Sequence, residues 1–337
     1  MRAIVLEHPA AGKAVEVEIE APTVGAREVL CAPIAIGLCH TDVSVIRGYA
    51  AVQAGYAPSY PLVLGHEFVA EVVEVGAGAT SVSPGDRIVA GSHISCRRCA
   101  HCLRARSELC RNKRLIGLDI DGALAERFVL PELIVRRIDR TMPLELAVLA
   151  EPFAVALHAV ELARHQPGER VAVIGPGPVG LLTTGALAAA GIRSTIIGLP
   201  ADEQQLALGV ELGASEALTV EAALASRRGD FDIVIETAGH HAAVSAAVSL
   251  IGPGGRVVCV GLPQQAVEID TADLAREEKI ILGSRAYDLS TWDSVPELLA
   301  ASPGLSRLVT HKLSMSEIEE AIRLVEDRVA TKVMLVP

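Results

Sequence analysis

The chain has 337 residues, 41 acidic against 30 basic side chains, a net charge of -11, and a composition that is 50% hydrophobic but only 3% aromatic. At roughly 150 residues per domain this predicts two domains, each able to bury a core without disulfide staples. The negative surplus excludes nucleic acid or an anionic membrane surface as the main partner, because such affinity comes largely from cationic side chains that displace phosphate counterions.

In chain order, Met1–Glu7 carries no long apolar region and no small-residue cleavage site, which predicts a cytoplasmic protein. Residues 1 to about 150 read as short strands broken by Gly and Pro: Ala3–Leu6, Ala14–Ile19, Val29–Ile36, Phe68–Val75, Arg87–Val89 and Ala125–Val129. From about 152 to 285 apolar runs alternate with helical stretches, the runs being Val171–Ile174, Thr195–Leu199, Glu216–Leu218, Asp232–Thr237, Arg256–Gly261 and Lys279–Leu282. That alternation predicts a parallel sheet covered on both faces. The uncharged run Val171–Ile192 is long enough to cross a bilayer, but Gly175-Pro176-Gly177-Pro178 breaks it into strand, turn and helix. After about residue 286 a final helix near Ser316–Asp327, with Ser316 and Glu319 as capping box, precedes the strand Lys332–Val336. So short a tail is expected to return to the first domain, giving an α/β unit (152–285) inserted into a β-rich domain (1–151 and 286–337).

Four of the seven cysteines, Cys96, Cys99, Cys102 and Cys110, follow C-x2-C-x2-C-x7-C spacing. One loop of that kind wraps a tetrahedral Zn²⁺ and satisfies all four positions, so the site is structural. Disulfides are the alternative, disfavoured by the spacing and the compartment. Cys31 and Cys259 read as core residues. Cys39, His66, Glu67 and Glu151 supply one soft, one borderline and two hard ligands, a set that suits a Zn²⁺ keeping one position open.

Val171–Leu181 places G-x-G-x-x-G between a strand and a helix. Gly175 makes the tight turn, Gly177 admits a pyrophosphate, and Gly180 permits close helix–strand packing, with Pro178 and Val179 opening the helix toward the anion. The acidic residue expected at the end of the second strand is absent: the position reads Leu199, followed by Pro200-Ala201-Asp202. Asp202 is the substitute carboxylate, and no Arg or Lys follows before Arg227, which favours NAD over NADP.

The order Gly37-Leu38-Cys39-His40-Thr41-Asp42, Gly65-His66-Glu67, Pro84-Gly85-Asp86-Arg87, the four-cysteine loop, Glu151-Pro152 and the glycine fingerprint resembles the zinc-containing medium-chain alcohol dehydrogenases over essentially the whole chain. Glu151, with Pro152 and His158, resembles the polyol (sorbitol/L-iditol) and L-threonine branch. The resemblance implies an α/β fold with a discontinuous GroES-like catalytic domain and an inserted Rossmann domain. It implies two Zn²⁺ per chain, the catalytic one held by Cys39, His66 and Glu67, with Glu151 bound directly or through the metal's water. Thr41 resembles the residue that takes the alcohol proton, His40 is placed at the cofactor phosphates, and Val155 and Val179 are expected against the nicotinamide. The implied reaction is reversible oxidation of a secondary alcohol, a polyol, to a ketone with NAD or NADP. The implied assembly is a homodimer or homotetramer, with Val257–Val260 and Ile280–Leu282 marking strand-to-strand association or simply core. An amino alcohol such as L-threonine or an aminocyclitol is the alternative substrate; a zinc-free reductase and a dinucleotide-binding sensor are alternatives in other classes. Tyr49, Tyr56 and Tyr60 are expected in one wall of the substrate cleft and Trp292 in the other.

Overall fold

The computed structural model describes residues 1–9, 12–48, 56 and 58–337, so Tyr49 lies outside the described residues. It divides into two compact units, Met1–Glu151 with Asp288–Pro337, and Pro152–Tyr287.

The first unit is built on a seven-stranded sheet. Its path runs Val135–Arg137, Arg87–Ala90, Glu67–Val75, Glu28–Leu38, Lys332–Val336, Val309–Ser314, with Phe128–Pro131 also paired to Glu28–Leu38. A three-stranded sheet of Val15–Glu18, Arg2–Leu6 and Leu62–Val63 accompanies it. Glu28–Leu38 alternates half-buried and buried positions as a strand with one face on the core does. Pro33 interrupts it: without an N–H the residue cannot serve the ladder, and the register shifts between Pro33 and Ala35. Beyond that shift Gly37 faces Glu67 on one side and Met334 on the other. The end of Glu28–Leu38, the start of Glu67–Val75 and the start of Lys332–Val336 therefore meet at one edge. Below them Phe68 and Phe128 pack edge to face, ring centroids 4.8 Å apart.

Three local expectations change. The capping box is Ser314 with Glu317 rather than Ser316 with Glu319: Glu317 accepts from Ser314 N at 2.8 Å and Ser314 Oγ accepts from Ser316 N at 3.3 Å. A 3-10 turn, Met315–Glu317, starts the helical path before the α-helix Ile318–Glu326, which moves the cap upstream. Trp292 sits in a helix, Leu289–Ala300, that the sequence pattern does not announce. Its side chain is wholly buried and its indole N–H donates to Ile134 O at 2.9 Å, so it is a core residue of this unit and not a cleft wall.

In the second unit six parallel strands lie in the order Glu216–Thr219, Ser194–Gly198, Val171–Ile174, Phe231–Glu236, Ile251–Cys259, Ile280–Gly283, which is 3-2-1-4-5-6 in chain order. The fifth strand begins five residues earlier than Arg256, because Gly252-Pro253-Gly254-Gly255 bulges out between the pairs Phe231–Ile251 and Ile233–Arg256. Val257 and Val258 are fully buried, whereas Ile280 on the outermost strand is 47% exposed. No helix among the described residues is long and apolar enough to cross a membrane.

Candidate metal centres and dinucleotide site

Cys39 is the N-cap of the short helix His40–Ile46, its sulfur accepting from Thr41 N at 3.4 Å. Asp42, fully buried in the first turn, reaches back: Oδ2 accepts from Cys39 N at 3.0 Å while Oδ1 lies 3.1 Å from His66 Nδ1. His66 and Glu67 enter from the adjacent strand, and donor atoms of Cys39, His66 and Glu67 all fall within 4.8 Å of one another. With His66 Nδ1 engaged by Asp42, Nε2 is the nitrogen left for an ion, the usual way a second group fixes a ligating imidazole. Burial opposes a charged His66, but the Asp42 carboxylate and the Cys39 sulfur outweigh it and hold the imidazole well above its ordinary pKa. Such a pocket attracts a cation. Lys332, 3% exposed, closes it from behind and pairs with the Glu67 carboxylate.

The loop cysteines form a second cluster, their four sulfurs also within 4.8 Å of one another. Cys99 and Cys102 sulfurs are 3.5 Å apart and Cys96 and Cys102 sulfurs 4.0 Å apart. A disulfide needs about 2.05 Å. Zinc–sulfur bonds of about 2.3 Å at tetrahedral corners put sulfurs about 3.8 Å apart, so the spacing fits zinc. Backbone N–H groups of Arg98 and Cys99 lower Cys96 to about 6, whereas burial and the Cys99 thiol raise Cys102 to about 11. One sulfur is thus already suited to the thiolate form. Of the neighbouring arginines, Arg106 is committed to the buried Glu108, at 2.5 Å.

Gly175 ends the first parallel strand with φ +99°, and a Cβ there would lie 2.7 Å from Ala238 N. At Gly180 a Cβ would strike Gly175 O. Gly177, the N-cap of the helix Pro178–Ala189, has nothing within 4 Å of where a Cβ would be. The turn is therefore closed at two glycines by packing and open at the third, a cradle beside the free N–H groups of a helix start. At the end of the second strand Leu199 is 44% exposed, and its N–H donates to Asp202 Oδ2 at 2.8 Å, so the Asp202 carboxylate folds back to the strand end.

Residues 25–140 match the Alcohol dehydrogenase GroES-like domain family and residues 178–301 the Zinc-binding dehydrogenase family. The chain is 31% identical to the L-threonine 3-dehydrogenase of Bacillus licheniformis, over 100% of this chain and 99% of that one. The chain belongs to the zinc-containing medium-chain alcohol dehydrogenases. Two solved structures extend the likeness across both domains of this family. A zinc-binding dehydrogenase of Sinorhizobium meliloti bound to NADP is 29% identical at TM-score 0.89, covering 100% of this chain and 99% of its own. Galactitol-1-phosphate dehydrogenase of Escherichia coli is 27% identical at TM-score 0.88, covering 100% of both.

Within this alcohol dehydrogenase scaffold, donor atoms of Cys39, His66 and Glu67 come together. Glu151, buried at the start of the helix Ala150–Ala163, is not among the three donors that cluster within 4.8 Å. Val155 and Val179 are partly buried on their helices, Thr41 is half-buried, and His40 is exposed on the first turn of its helix. Although its surface is open to solvent, partial desolvation of the ring and then the Arg328 charge hold His40 below its ordinary pKa. Cys31 is buried, its thiol pushed up to about 12, and Cys259 is half-buried and raised by burial to about 11. Tyr56 and Tyr60 line a cavity of about 210 Å³ with Val45, Pro58 and Leu118. Two residues of the pocket escaped sequence reading. Asp42 carries its signal in the three-residue step from Cys39, the spacing of a capping box. Lys332 carries a weaker one, a lone cation opening the apolar run Val333–Val336.

Proposed function

We propose that the chain is a zinc- and nicotinamide-dependent dehydrogenase of secondary alcohols, of the polyol type. One observation carries it: a half-buried thiol with a buried imidazole and a buried carboxylate, in the same chain as an open glycine cradle. The donors fit zinc in softness and number, leaving room for a further ligand. Cys39, His66 and Glu67 would hold the ion, with Glu151 as a second carboxylate reaching it directly or through water. Bound there, zinc supplies Lewis acidity to an alcohol oxygen, and NAD(P)+ bound in the cradle supplies the hydride acceptor.

The protein's own groups do the rest. Asp42 fixes the tautomer and orientation of His66. The Thr41 hydroxyl takes the alcohol proton. The cradle of Gly175, Gly177, Pro178, Val179 and Gly180 holds the pyrophosphate, with His40 as a further phosphate contact and Val155 and Val179 against the nicotinamide. Asp202 accepts from the adenosine ribose hydroxyls beside Leu199. A carboxylate there repels a 2′-phosphate, and no cation follows before Arg227, which supports NAD. The closed cluster Cys96, Cys99, Cys102 and Cys110 holds the second, structural zinc.

The test is turnover followed by absorbance of reduced nicotinamide on sorbitol, xylitol, L-iditol and L-threonine, with NAD and NADP in parallel. Polyol turnover with NAD preferred is expected. Turnover of threonine with none on the polyols replaces the substrate, a reading that the L-threonine 3-dehydrogenase relative favours. We further propose a cytoplasmic homodimer or homotetramer, supported by the exposed Ile280 on the outermost strand of the parallel sheet and checked by sedimentation.

A further inference from the structure

Lys332 is a cation where none is expected, 3% exposed at the start of a strand whose next three residues are also buried. A buried ammonium is costly unless paired, and its partner is the carboxylate of Glu67, itself 1% exposed. Cys39 and Asp42 also act electrostatically on the ammonium. Gly37 completes the arrangement. It stands opposite Glu67 across the antiparallel pair, and a Cβ there would collide with the Glu67 carboxylate.

Glu67 is therefore placed between two claimants. One is the ammonium that already holds it, and the other is an ion that Cys39 and His66 would bind, their donor atoms lying within 4.8 Å of a Glu67 oxygen. With Cys39 as thiolate and Glu67 and Asp42 as carboxylates, Lys332 and a divalent ion share the negative charge gathered there. Removing the ammonium leaves the carboxylate one claimant. Its charge would then go wholly to the ion, which would be held more tightly.

Resting on the zinc assignment above, we infer that Lys332 is a positioning residue that draws part of the Glu67 charge away from the catalytic ion and so keeps that ion exchangeable.

The experiment compares wild-type holoenzyme with Lys332→Met, Lys332→Arg, Glu67→Gln and the double variant Lys332→Met/Glu67→Gln. Metal release to a chromogenic chelator and the visible spectrum of cobalt-substituted protein are the readouts. Lys332→Met should release its catalytic metal on the order of 10-fold more slowly, the size usual for groups one layer behind a ligand. Its cobalt spectrum should change, while Lys332→Arg stays near wild type. On the Glu67→Gln background Lys332→Met should change the release rate little, because the carboxylate through which it acts is gone. Faster or unchanged release from Lys332→Met overturns the inference, as does equal slowing on both backgrounds, which would mean direct repulsion of the ion. If Lys332→Met does not fold, Lys332→Gln carries the same expectations. The zinc assignment is tested separately by Cys39→Ser: retention of both zinc equivalents defeats that assignment, whereas loss of one with unaltered release in Lys332→Met defeats only the role of Lys332.

Discussion

The Asp42 carboxylate spends its two oxygens on two different tasks, Oδ2 closing the helix start at Cys39 N and Oδ1 fixing His66. Asn can accept with only one of its two atoms, so Asp42→Asn keeps either the cap or the imidazole orientation. Zinc affinity or kcat/KM should fall by about 10–100-fold, checked by metal titration of the variant, with a fall below threefold counting against the assignment. Glu236 is a buried carboxylate of the opposite character. Burial raises it above the usual carboxylate range although Gly239 N donates to it at 2.8 Å. A carboxyl whose folded pKa is raised contributes stability below its unfolded pKa and loses it as pH rises through the folded value. Glu236→Gln keeps an acceptor for Gly239 without the charge. It should unfold at a higher Tm than wild type at pH 8, by about 2–4 °C, and the gap should close toward pH 4 in calorimetry; a gap independent of pH contradicts the sign. These residues also mark what a sequence makes legible. Cys39 and His66 were readable because few residue types ligate zinc. Glu67 and Glu151 were equal candidates on chemistry, and only three-dimensional placement separates them. Lys332 gave only a weak signal because its meaning lies in a pairing with a residue far away in the chain.

The glycine turn shows the same limits for an element. Its function followed from spacing because each glycine answers a steric demand, but which demands were internal and which faced a ligand needed the fold. Gly180 packs against Gly175 O and Gly177 against nothing. Gly180→Ala should destabilise the second unit by about 1–3 kcal/mol. Gly177→Ala should leave thermal stability near wild type yet raise the NAD dissociation constant roughly tenfold, about 1.4 kcal/mol. Parallel thermal melts and NADH fluorescence titrations check both, and reversed behaviour of the two variants would misplace the cofactor. The parallel strands were readable because burial on both faces leaves uninterrupted apolar runs. The helix Leu289–Ala300 was not: Pro296 lies inside it, and a Pro within a helical pattern argues against one. Its start is secured by Asp288, which accepts from Thr291 N at 2.9 Å, and its Trp292 anchors it to Ile134.

For the whole molecule, the proposed zinc donors Cys39, His66 and Glu67 belong to one compact unit and the glycine turn to the other. Metal loading and dinucleotide binding are therefore separable. Cys39→Ser should abolish turnover yet bind NADH within about threefold of wild type, a shift below 1 kcal/mol, by fluorescence titration; loss of NADH binding would show that the units are coupled through the metal.

The pairing of Val333 with Leu38 also orders events in time. Every strand contact of the second unit is made within Val171–Gly283, but the sheet of the first waits for a strand made almost a whole chain after Glu28–Leu38. At ribosomal speeds that delay is on the order of tens of seconds. During it the edge that will receive Lys332–Val336 has no partner, a surface open to strand addition by another chain. The first unit is thus completed only when its last strand has been made, and a chaperone has most to protect in that interval.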